Sequence, residues 1–307
     1  MSNVEALNQK WNKKGVSVKS DAQHNGMPFV QLETVSSSCL VYLHGAHVTS
    51  FKTNGNEHFF MSEKSVYEPF KALRGGIPLI FPQFGAGKIQ THGFARNMQW
   101  SIKTTFVDEM RGSVGVEFEL VDDDYSRKIW PCSFHAVYCI TLHKDRLELS
   151  FATKNTDHKA FDFQLALHTY FAISNIQNVR VDGLHGYSYI DKMKNAEIDV
   201  EKRQSVTIQE ETDRVYLNTN TSQPLLLIDD HNKSRITLQS QANLNDAVVW
   251  NPWIEKAKRM EDFGDLEYPK MICIEAGVID KPAILEPGQS FQTTHVIIPS
   301  NNHSPSL

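Results

Sequence analysis

The sequence predicts an all-β fold, a large antiparallel β-sandwich with few short helices. Two observations indicate it. Apolar and polar residues alternate with a period of two in several stretches, which is typical of strands that bury one face. Clusters of Asp, Asn and His separate these stretches at the spacing of ~8–12 residues expected for an antiparallel meander. No stretch alternates strands with long amphipathic helices, so a parallel α/β sheet is not expected.

The predicted elements follow in chain order. Val4, Leu7 and Trp11 fall at helix-face spacing before Gly15, so residues 1–15 are expected to form an N-terminal helix or extension. The alternating pattern then predicts strands over residues 114–120, 134–142, 147–151 and 163–171.

The domain organisation follows from length and linkers. A chain of 307 residues often holds about two domains. No interior segment rich in Gly, Ser or Pro divides this one, so we predict a single domain over residues 1–307. The polar segment 299–307 is expected to be a frayed tail.

The charge balance limits the partners. The sequence has 31 Lys and Arg against 36 Asp and Glu, a net charge of −5. Such a chain has no global attraction to nucleic acid or to an anionic membrane, so neither is an expected partner. Any anion that binds must meet a local basic site.

Cysteine usage and the N-terminus predict a cytoplasmic protein. The 4 cysteines form no Cys-x-x-Cys pair, and the first residues lack the apolar core of a signal peptide. No run approaches the ~18 apolar residues of a membrane span. The sequons at Asn220, Asn232 and Asn302 are then chance matches, because glycosylation needs the secretory lumen.

Glu275 interrupts an apolar run at residues 271–277. On a strand it shares one face with Cys273, while Ile274 points the other way. A carboxylate on a largely buried strand is costly unless it has partners or a chemical role. The alternatives are a strand-end Glu that faces solvent and a structural ion pair.

His168 lies in the predicted strand 163–171. Leu165 and Leu167 belong to its core face, whereas Gln164 and His168 belong to the other face, whose composition suits a ligand. Histidine can hold or release a proton near neutral pH. The alternative is a hydrogen-bonded histidine on an exposed sheet.

Arg74 and Arg96 lie in apolar segments that contain glycine. The donor fork of a guanidinium suits phosphate or carboxylate, so the two arginines are candidates for the local basic site. Arginines paired with structural carboxylates are an equal alternative. Gly75 and Gly76 form neither a Gly-x-Gly-x-x-Gly loop nor a Walker loop.

Two further patterns indicate no special chemistry. His44 and His47 would point to opposite faces of a strand, and no third ligand stands nearby, so no metal site is expected. The charged run 256–260 is expected to be a solvated turn or helical face.

Eight short motifs follow one another along the chain, at residues 43–48, 74–78, 81–85, 92–96, 166–171, 213–216, 249–253 and 273–277. In this order they resemble the aldose 1-epimerase (galactose mutarotase-like) superfamily. The resemblance is to its hexose-6-phosphate mutarotase branch, the glucose-6-phosphate 1-epimerases, and it spans nearly the whole chain.

The resemblance implies a galactose mutarotase-like supersandwich with His168 and Glu275 at the catalytic positions. It also implies that Arg74 and Arg96 hold the sugar phosphate and that Asp213 contacts the substrate.

A further substrate contact is implied just before the motif at 92–96, where some family members carry Gln. Thr91 occupies that place here and Gln90 precedes it, so both are candidates. His92 is expected to line the same pocket.

The implied function is interconversion of the α and β anomers of an aldohexose 6-phosphate, most simply glucose 6-phosphate. Glu275 would act as base on the anomeric hydroxyl and His168 as acid on the ring oxygen. No cofactor or metal is needed, and a monomer is expected. One alternative is an aldose 1-epimerase of free sugars such as galactose. Another is a non-catalytic carbohydrate-binding protein with Tyr170, Trp250 and Trp253 as stacking surfaces.

Overall fold

A computed structural model describes residues 3–219, 223–241 and 243–301. These residues form twenty-two strands in three antiparallel sheets, together with a few short helices. The predicted all-β sandwich is therefore confirmed. The sequons at Asn220 and Asn302 lie outside the described residues.

The helices are short and lie between strands or before the first one. The α-helices are α1 (Asn3–Trp11), α2 (Asp124–Ile129) and α3 (Trp253–Arg259). The 3-10 helices are Ala95–Asn97, Ile176–Asn178, Lys192–Lys194 and Tyr268–Lys270. None of the helices in the described ranges has the length and apolarity needed to cross a membrane.

The strands in chain order are β1 (Val16–Asp21), β2 (Met27–Glu33), β3 (Ser37–Tyr42), β4 (His47–Thr53), β5 (Asn56–Glu57), β6 (Leu79–Ile80), β7 (Ser101–Asp108), β8 (Ser113–Val121), β9 (Phe134–Leu142), β10 (Leu147–Asn155), β11 (Phe161–Leu167), β12 (Tyr170–Ala172), β13 (Val179–Asp182), β14 (Ser188–Asp191), β15 (Glu197–Val200), β16 (Ser205–Val206), β17 (Thr212–Tyr216), β18 (Leu225–Asp229), β19 (Ser234–Ser240), β20 (Asp246–Asn251), β21 (Met271–Leu285) and β22 (Ser290–Asn301).

The first sheet contains β1 to β5 in sequence order, and the second has the order β16-β13-β18-β19-β22-β10-β9-β8-β7. The third sheet has the order β15-β14-β17-β20-β21-β11-β6, and β12 also pairs with β21. The long strand β21 therefore lies in the middle of the third sheet, between β20 and β11.

Most predicted elements match the structure. The N-terminal helix is α1, and the strands expected at 114–120, 134–142 and 147–151 lie within β8, β9 and β10. The strand expected at 163–171 is interrupted, because β11 ends at Leu167 and β12 begins at Tyr170. Between them the His168 N–H donates to the carbonyl oxygen of Pro78 (3.1 Å), and the Thr169 N–H donates to the carbonyl oxygen of Leu167 (2.8 Å).

The C-terminal segment differs from the expectation of a frayed tail. Strand β22 runs to Asn301, where Asn301 lies opposite Ser234 and Pro299 lies opposite Ile236 of β19. Pairing with β19 thus includes the first three residues of the predicted tail. Residues 302–307 lie outside the described part of the chain.

The two faces of the third sheet pack into different hydrophobic clusters. Leu165 and Ile274 belong to the main core, which draws on all three sheets. Ala166, Tyr170 and Cys273 belong to a second cluster on the opposite face. The faces predicted from the alternation of β11, β12 and β21 are therefore confirmed, because side chains alternate between the two sides of a strand.

Candidate active site

A cavity of about 960 Å³ lies over the second cluster of the third sheet. All predicted site residues except Gln90 line it: Arg74, Thr91, His92, Arg96, His168, Asp213 and Glu275. These residues come from distant parts of the sequence, and the sheet brings them together in one space.

Gln90 is the exception. Its side-chain amide donates to the carbonyl oxygen of Gly93 (3.0 Å), which uses the amide within the loop and leaves Thr91 at the cavity wall. The substrate contact considered for Gln90 stays a prediction. The carbonyl oxygen of Thr91 accepts a hydrogen bond from Arg96 Nη2 (2.9 Å).

Glu275 lies in the middle of β21, opposite Val248 of β20, and is 2% exposed. His168 follows β11, and its Nδ1 lies 3.4 Å from Glu275 Oε1. Across the described ranges, neither His168 Nδ1 nor Glu275 Oε2 has a hydrogen-bond partner. Buried polar atoms are rarely left unpaired, so this pair is a strong candidate for contact with a ligand.

The strand that carries Glu275 requires a small residue at position 277. Gly277 faces the backbone of β11, and a Cβ atom at this position would lie 2.5 Å from the carbonyl oxygen of Leu165. Glycine allows the close approach of β11 and β21, which brings the end of β11 and therefore His168 toward Glu275.

Aromatic rings hold the imidazole of His168 in place. It stacks on Tyr170, with 4.8 Å between centroids and 9° between planes. Trp250 and His92 meet it edge-on at 5.8 Å and 5.6 Å. Packing therefore fixes this ring, although its Nδ1 makes no hydrogen bond.

Burial shifts both pKa values of the pair. It raises the pKa of Glu275 well above the ordinary value, and the negative charge of Asp213 adds to the effect. Burial likewise lowers the pKa of His168 well below its ordinary value, and the nearby His92, Arg74 and Arg96 lower it further. Both shifts favour the uncharged forms of the two side chains.

Arg74 is held by several hydrogen bonds. Its backbone N–H donates to Ser65 Oγ (2.8 Å), its Nη1 to the Tyr170 hydroxyl (2.9 Å) and its Nη2 to Asp262 Oδ2 (3.0 Å). Although burial lowers the pKa of Arg74, Tyr170 and Asp262 raise it above the ordinary value. Arg74 therefore stays charged in a fixed position.

His44 and His47, where no metal site was expected, hold the segment that carries Arg74. His44 Nε2 lies 2.6 Å from the Lys71 carbonyl oxygen, and His47 Nε2 lies 2.8 Å from that of Gly75. In the part of the chain that the structure describes, no group of three or more His, Cys, Asp or Glu side chains is placed to bind a metal ion.

Arg96 lies in the 3-10 helix Ala95–Asn97 and reaches the same cavity. Burial lowers its pKa to about 10, and the positive charge of Arg74 contributes. Arg96 remains positive at neutral pH. Two mutually repelling guanidinium groups at one cavity wall create a local positive potential that attracts an anion.

His92 and Asp213 complete the predicted set. The Gly85 N–H donates to His92 Nδ1 (3.2 Å), so the neutral ring carries its proton on Nε2. Burial lowers the pKa of His92 to about 3, helped by the positive charge of Arg96. Asp213 lies on β17, and burial raises its pKa while Lys256 opposes the shift.

The sequence interpretation missed Lys256 and Asp262. Lys256 belongs to the run expected to be solvated, yet it lines the cavity together with Met260, one helical turn further on. Among the proposed stacking residues, Trp250 lines the cavity, whereas Trp253 packs on Tyr268 with 5.2 Å between ring centroids.

Comparisons with known proteins identify the family of this chain. The family model described as aldose 1-epimerase matches residues 28–297. A relative from Cenchrus ciliaris, provisionally named glucose-6-phosphate 1-epimerase, is 38% identical over 280 residues, 87% of this chain and 83% of that one. A relative from Escherichia coli K12 with the same name is 33% identical over 76% of this chain and 77% of its own.

A solved structure extends the comparison to three dimensions. The crystal structure of a protein from Salmonella typhimurium, provisionally named a mutarotase, aligns with a TM-score of 0.85 at 27% identity. The alignment covers 95% of this chain and 96% of that one. Together with the family match over most of the sequence, this shows that the chain belongs to the aldose 1-epimerase family.

Proposed function

We propose that the protein is an isomerase that interconverts the α and β anomers of an aldohexose 6-phosphate, with glucose 6-phosphate as the expected substrate. One observation carries the proposal. A single cavity holds a buried pair, His168 and Glu275, together with two partly buried arginines. The names of the relatives from Cenchrus ciliaris and Escherichia coli support the same substrate.

The pair performs the proton transfers. Glu275, as a carboxylate, accepts the proton of the anomeric hydroxyl, and protonated His168 donates a proton to the ring oxygen. The bond between the anomeric carbon and the ring oxygen breaks, which gives the open-chain aldehyde. Rotation about the bond between the first two carbons then exposes the other face of the aldehyde carbon. The hydroxyl formed from the ring oxygen attacks this face and returns its proton to His168. The new anomeric oxygen takes the proton from Glu275, which restores both side chains.

The negative charge of the substrate phosphate favours a proton on His168, as ring opening requires. Burial favours a proton on Glu275 over one on His168, whereas ring opening requires the proton on His168. Both distributions have the same net charge. Arg74 and Arg96 lower the pKa of His168, so a phosphate dianion bound to them offsets this effect and favours protonated His168.

Arg74 and Arg96 bind the phosphate in this proposal. Charge-assisted hydrogen bonds from guanidinium groups to phosphate are among the strong ones, and both side chains line the cavity. Asp213, Thr91 and the Nε2–H of His92 are the proposed contacts for the sugar hydroxyls.

The test is the anomer exchange of glucose 6-phosphate, galactose 6-phosphate and glucose by the wild-type protein, followed by polarimetry with the spontaneous rate subtracted. We expect a hexose 6-phosphate to be exchanged most efficiently. Equal exchange of free sugars would favour an aldose 1-epimerase of galactose-type substrates. Sugar binding without acceleration would instead indicate a carbohydrate-binding protein that uses Trp250.

The remaining proposals concern the form of the enzyme. It acts as a monomer, and residues 1–307 form a single domain in which one main core joins all three sheets. Cys39, Cys132, Cys139 and Cys273 are free thiols, the form that a reducing cytoplasm maintains. The proton transfers use side chains alone, so the mechanism calls for no cofactor, nucleic acid or membrane.

A further inference from the structure

Helix α3 places one more cation at the cavity. Asn251, which is fully buried, precedes the helix and accepts a hydrogen bond from the Trp253 N–H (2.9 Å). Its amide donates to the carbonyl oxygens of Tyr268 and Met271 (2.9 Å each). These bonds fix the start of α3, and Lys256 extends from the helix into the cavity.

Lys256 differs from Lys258 of the same helix. Lys258 forms an ion pair with Glu255 (3.1 Å), and both side chains are more than half exposed. The Lys256 side chain is 33% exposed, and its Nζ lies 5.7 Å from the ring centroid of Trp250. Lys258 does not line the cavity, so the two lysines form a matched pair with different surroundings.

The charge of Lys256 acts within the cavity. It contributes to the low pKa of His92 together with Arg96 and Arg74, which places it within electrostatic reach of the same ring as the two arginines. Its counter-ion is loosely placed, since Glu211 Oε1 lies 3.5 Å from Nζ and Glu211 Oε2 lies 4.0 Å from Arg259 Nη2. Lys256 can therefore keep this partner while its ammonium group faces a ligand.

We propose that Lys256 is a third cation of the phosphate subsite and helps the enzyme to select sugar phosphates over free sugars. The assignment rests on the proposed function and adds a residue to it. A lysine on a flexible stem complements the two fixed guanidinium groups, because its ammonium group can follow the phosphate as the sugar ring opens and closes.

The experiment compares Lys256→Met, Lys256→Arg and Lys258→Met. Loss of one charge-assisted hydrogen bond predicts that Lys256→Met raises KM for glucose 6-phosphate at least about tenfold, with kcat nearly unchanged. Exchange of free glucose should stay at the wild-type rate. Lys256→Arg should recover most of the affinity, and Lys258→Met should behave as wild type.

Sulfate binding, measured by calorimetry, provides a readout that does not depend on catalysis. Lys256→Met should weaken sulfate binding by the same factor as it raises KM. Unchanged sulfate affinity, or an equal loss with glucose and glucose 6-phosphate, would overturn the assignment. If the wild type failed to exchange glucose 6-phosphate, the proposed function would fall, while the sulfate titrations would still decide whether Lys256 binds an oxyanion.

Discussion

Two parts of the cavity are built in different ways. In the arginine part, Arg74 is bonded to Ser65, Tyr170 and Asp262, so its position is fixed before any ligand arrives. In the proton-transfer part, His168 and Glu275 are almost completely buried, and ring packing rather than hydrogen bonds holds His168. Unpaired polar atoms occur in both parts, at Arg74 Nε and Arg96 Nε as well as at His168 Nδ1 and Glu275 Oε2.

The difference separates binding from chemistry. Preorganised cations bind an anion with little rearrangement, whereas unpaired proton-transfer groups reserve their hydrogen-bonding capacity for the reacting atoms. Tyr170 joins the two parts, because its hydroxyl accepts from Arg74 and its ring stacks on His168. A change of charge at the arginines therefore acts on the histidine over a short distance.

The largest expected effect is in the proton-transfer part. Glu275→Gln keeps the shape of the side chain but removes the base, so turnover of glucose 6-phosphate should fall by ~10²–10⁴-fold. A coupled assay that consumes only one anomer measures this loss, and circular dichroism checks the fold. Turnover near the wild-type level in a folded variant would rule out Glu275 as the base.

A smaller effect is expected in the arginine part. Arg96→Ala should lower kcat/KM for glucose 6-phosphate by about 10–10²-fold and leave the exchange of glucose nearly unchanged. Arg96 is preferable to Arg74 for this test, because removing Arg74 would leave the carboxylate of Asp262 without its partner. Equal losses with both substrates would contradict a phosphate-specific role.

Tyr170 contacts both parts, and its substitution should change KM for glucose 6-phosphate only a few-fold. Tyr170→Phe removes the hydroxyl that accepts from Arg74 but keeps the ring that stacks on His168. We expect a few-fold increase in KM for glucose 6-phosphate, since one neutral hydrogen-bonding group is lost. A large decrease in kcat for glucose would show that the hydroxyl takes part in the proton transfers themselves.

The smallest effect concerns stability. Because the folded pKa of Glu275 lies above its ordinary value of 4.5, the folded protein keeps a proton that the unfolded chain loses as pH rises. The free energy of unfolding therefore decreases as the pH rises from about 4.5 to the pKa of Glu275 in the folded protein. Gln has no carboxyl group to ionise, so Glu275→Gln does not lose stability in this way. The variant should be more stable than wild type by about 0.5–2 kcal/mol at pH 7.5, with a smaller difference near pH 4.5.

Urea denaturation at the two pH values measures this difference. Glu255→Gln is the control for the chemical change, because the Glu255 side chain is 71% exposed and does not line the cavity. A less stable Glu275→Gln protein at pH 7.5 would contradict the assigned burial cost.

The alternation of polar and apolar residues predicted the two faces of β11 and of β21, and the structure shows that His168 and Glu275 line the same cavity. The prediction was possible because side-chain direction in a strand depends only on sequence position. The break after Leu167 was not predictable, because it depends on a hydrogen bond to Pro78, which lies far away in sequence.

Other parts of the site needed more than local patterns. The placement of Arg74 and Arg96 in one cavity followed from the family resemblance alone, since spacing along the chain does not bring them together. Lys256 was taken for a solvated charge because a short helix shows no clear apolar face. Gln90 and Thr91 were both candidates for one substrate contact; the Gln90 amide donates to the Gly93 carbonyl oxygen, and the contact itself stays a prediction.

The most direct test of the coupling between the two parts is the titration of His168 by NMR in protein labelled with ¹⁵N-histidine. Spectra are recorded with and without sulfate, which stays dianionic over the whole pH range, and Arg96→Ala serves as the control. The electrostatic arrangement predicts that sulfate raises the pH at which His168 becomes protonated in the wild type and has a weaker effect in the variant. A pKa of His168 that stays the same or decreases on sulfate binding would contradict the coupling.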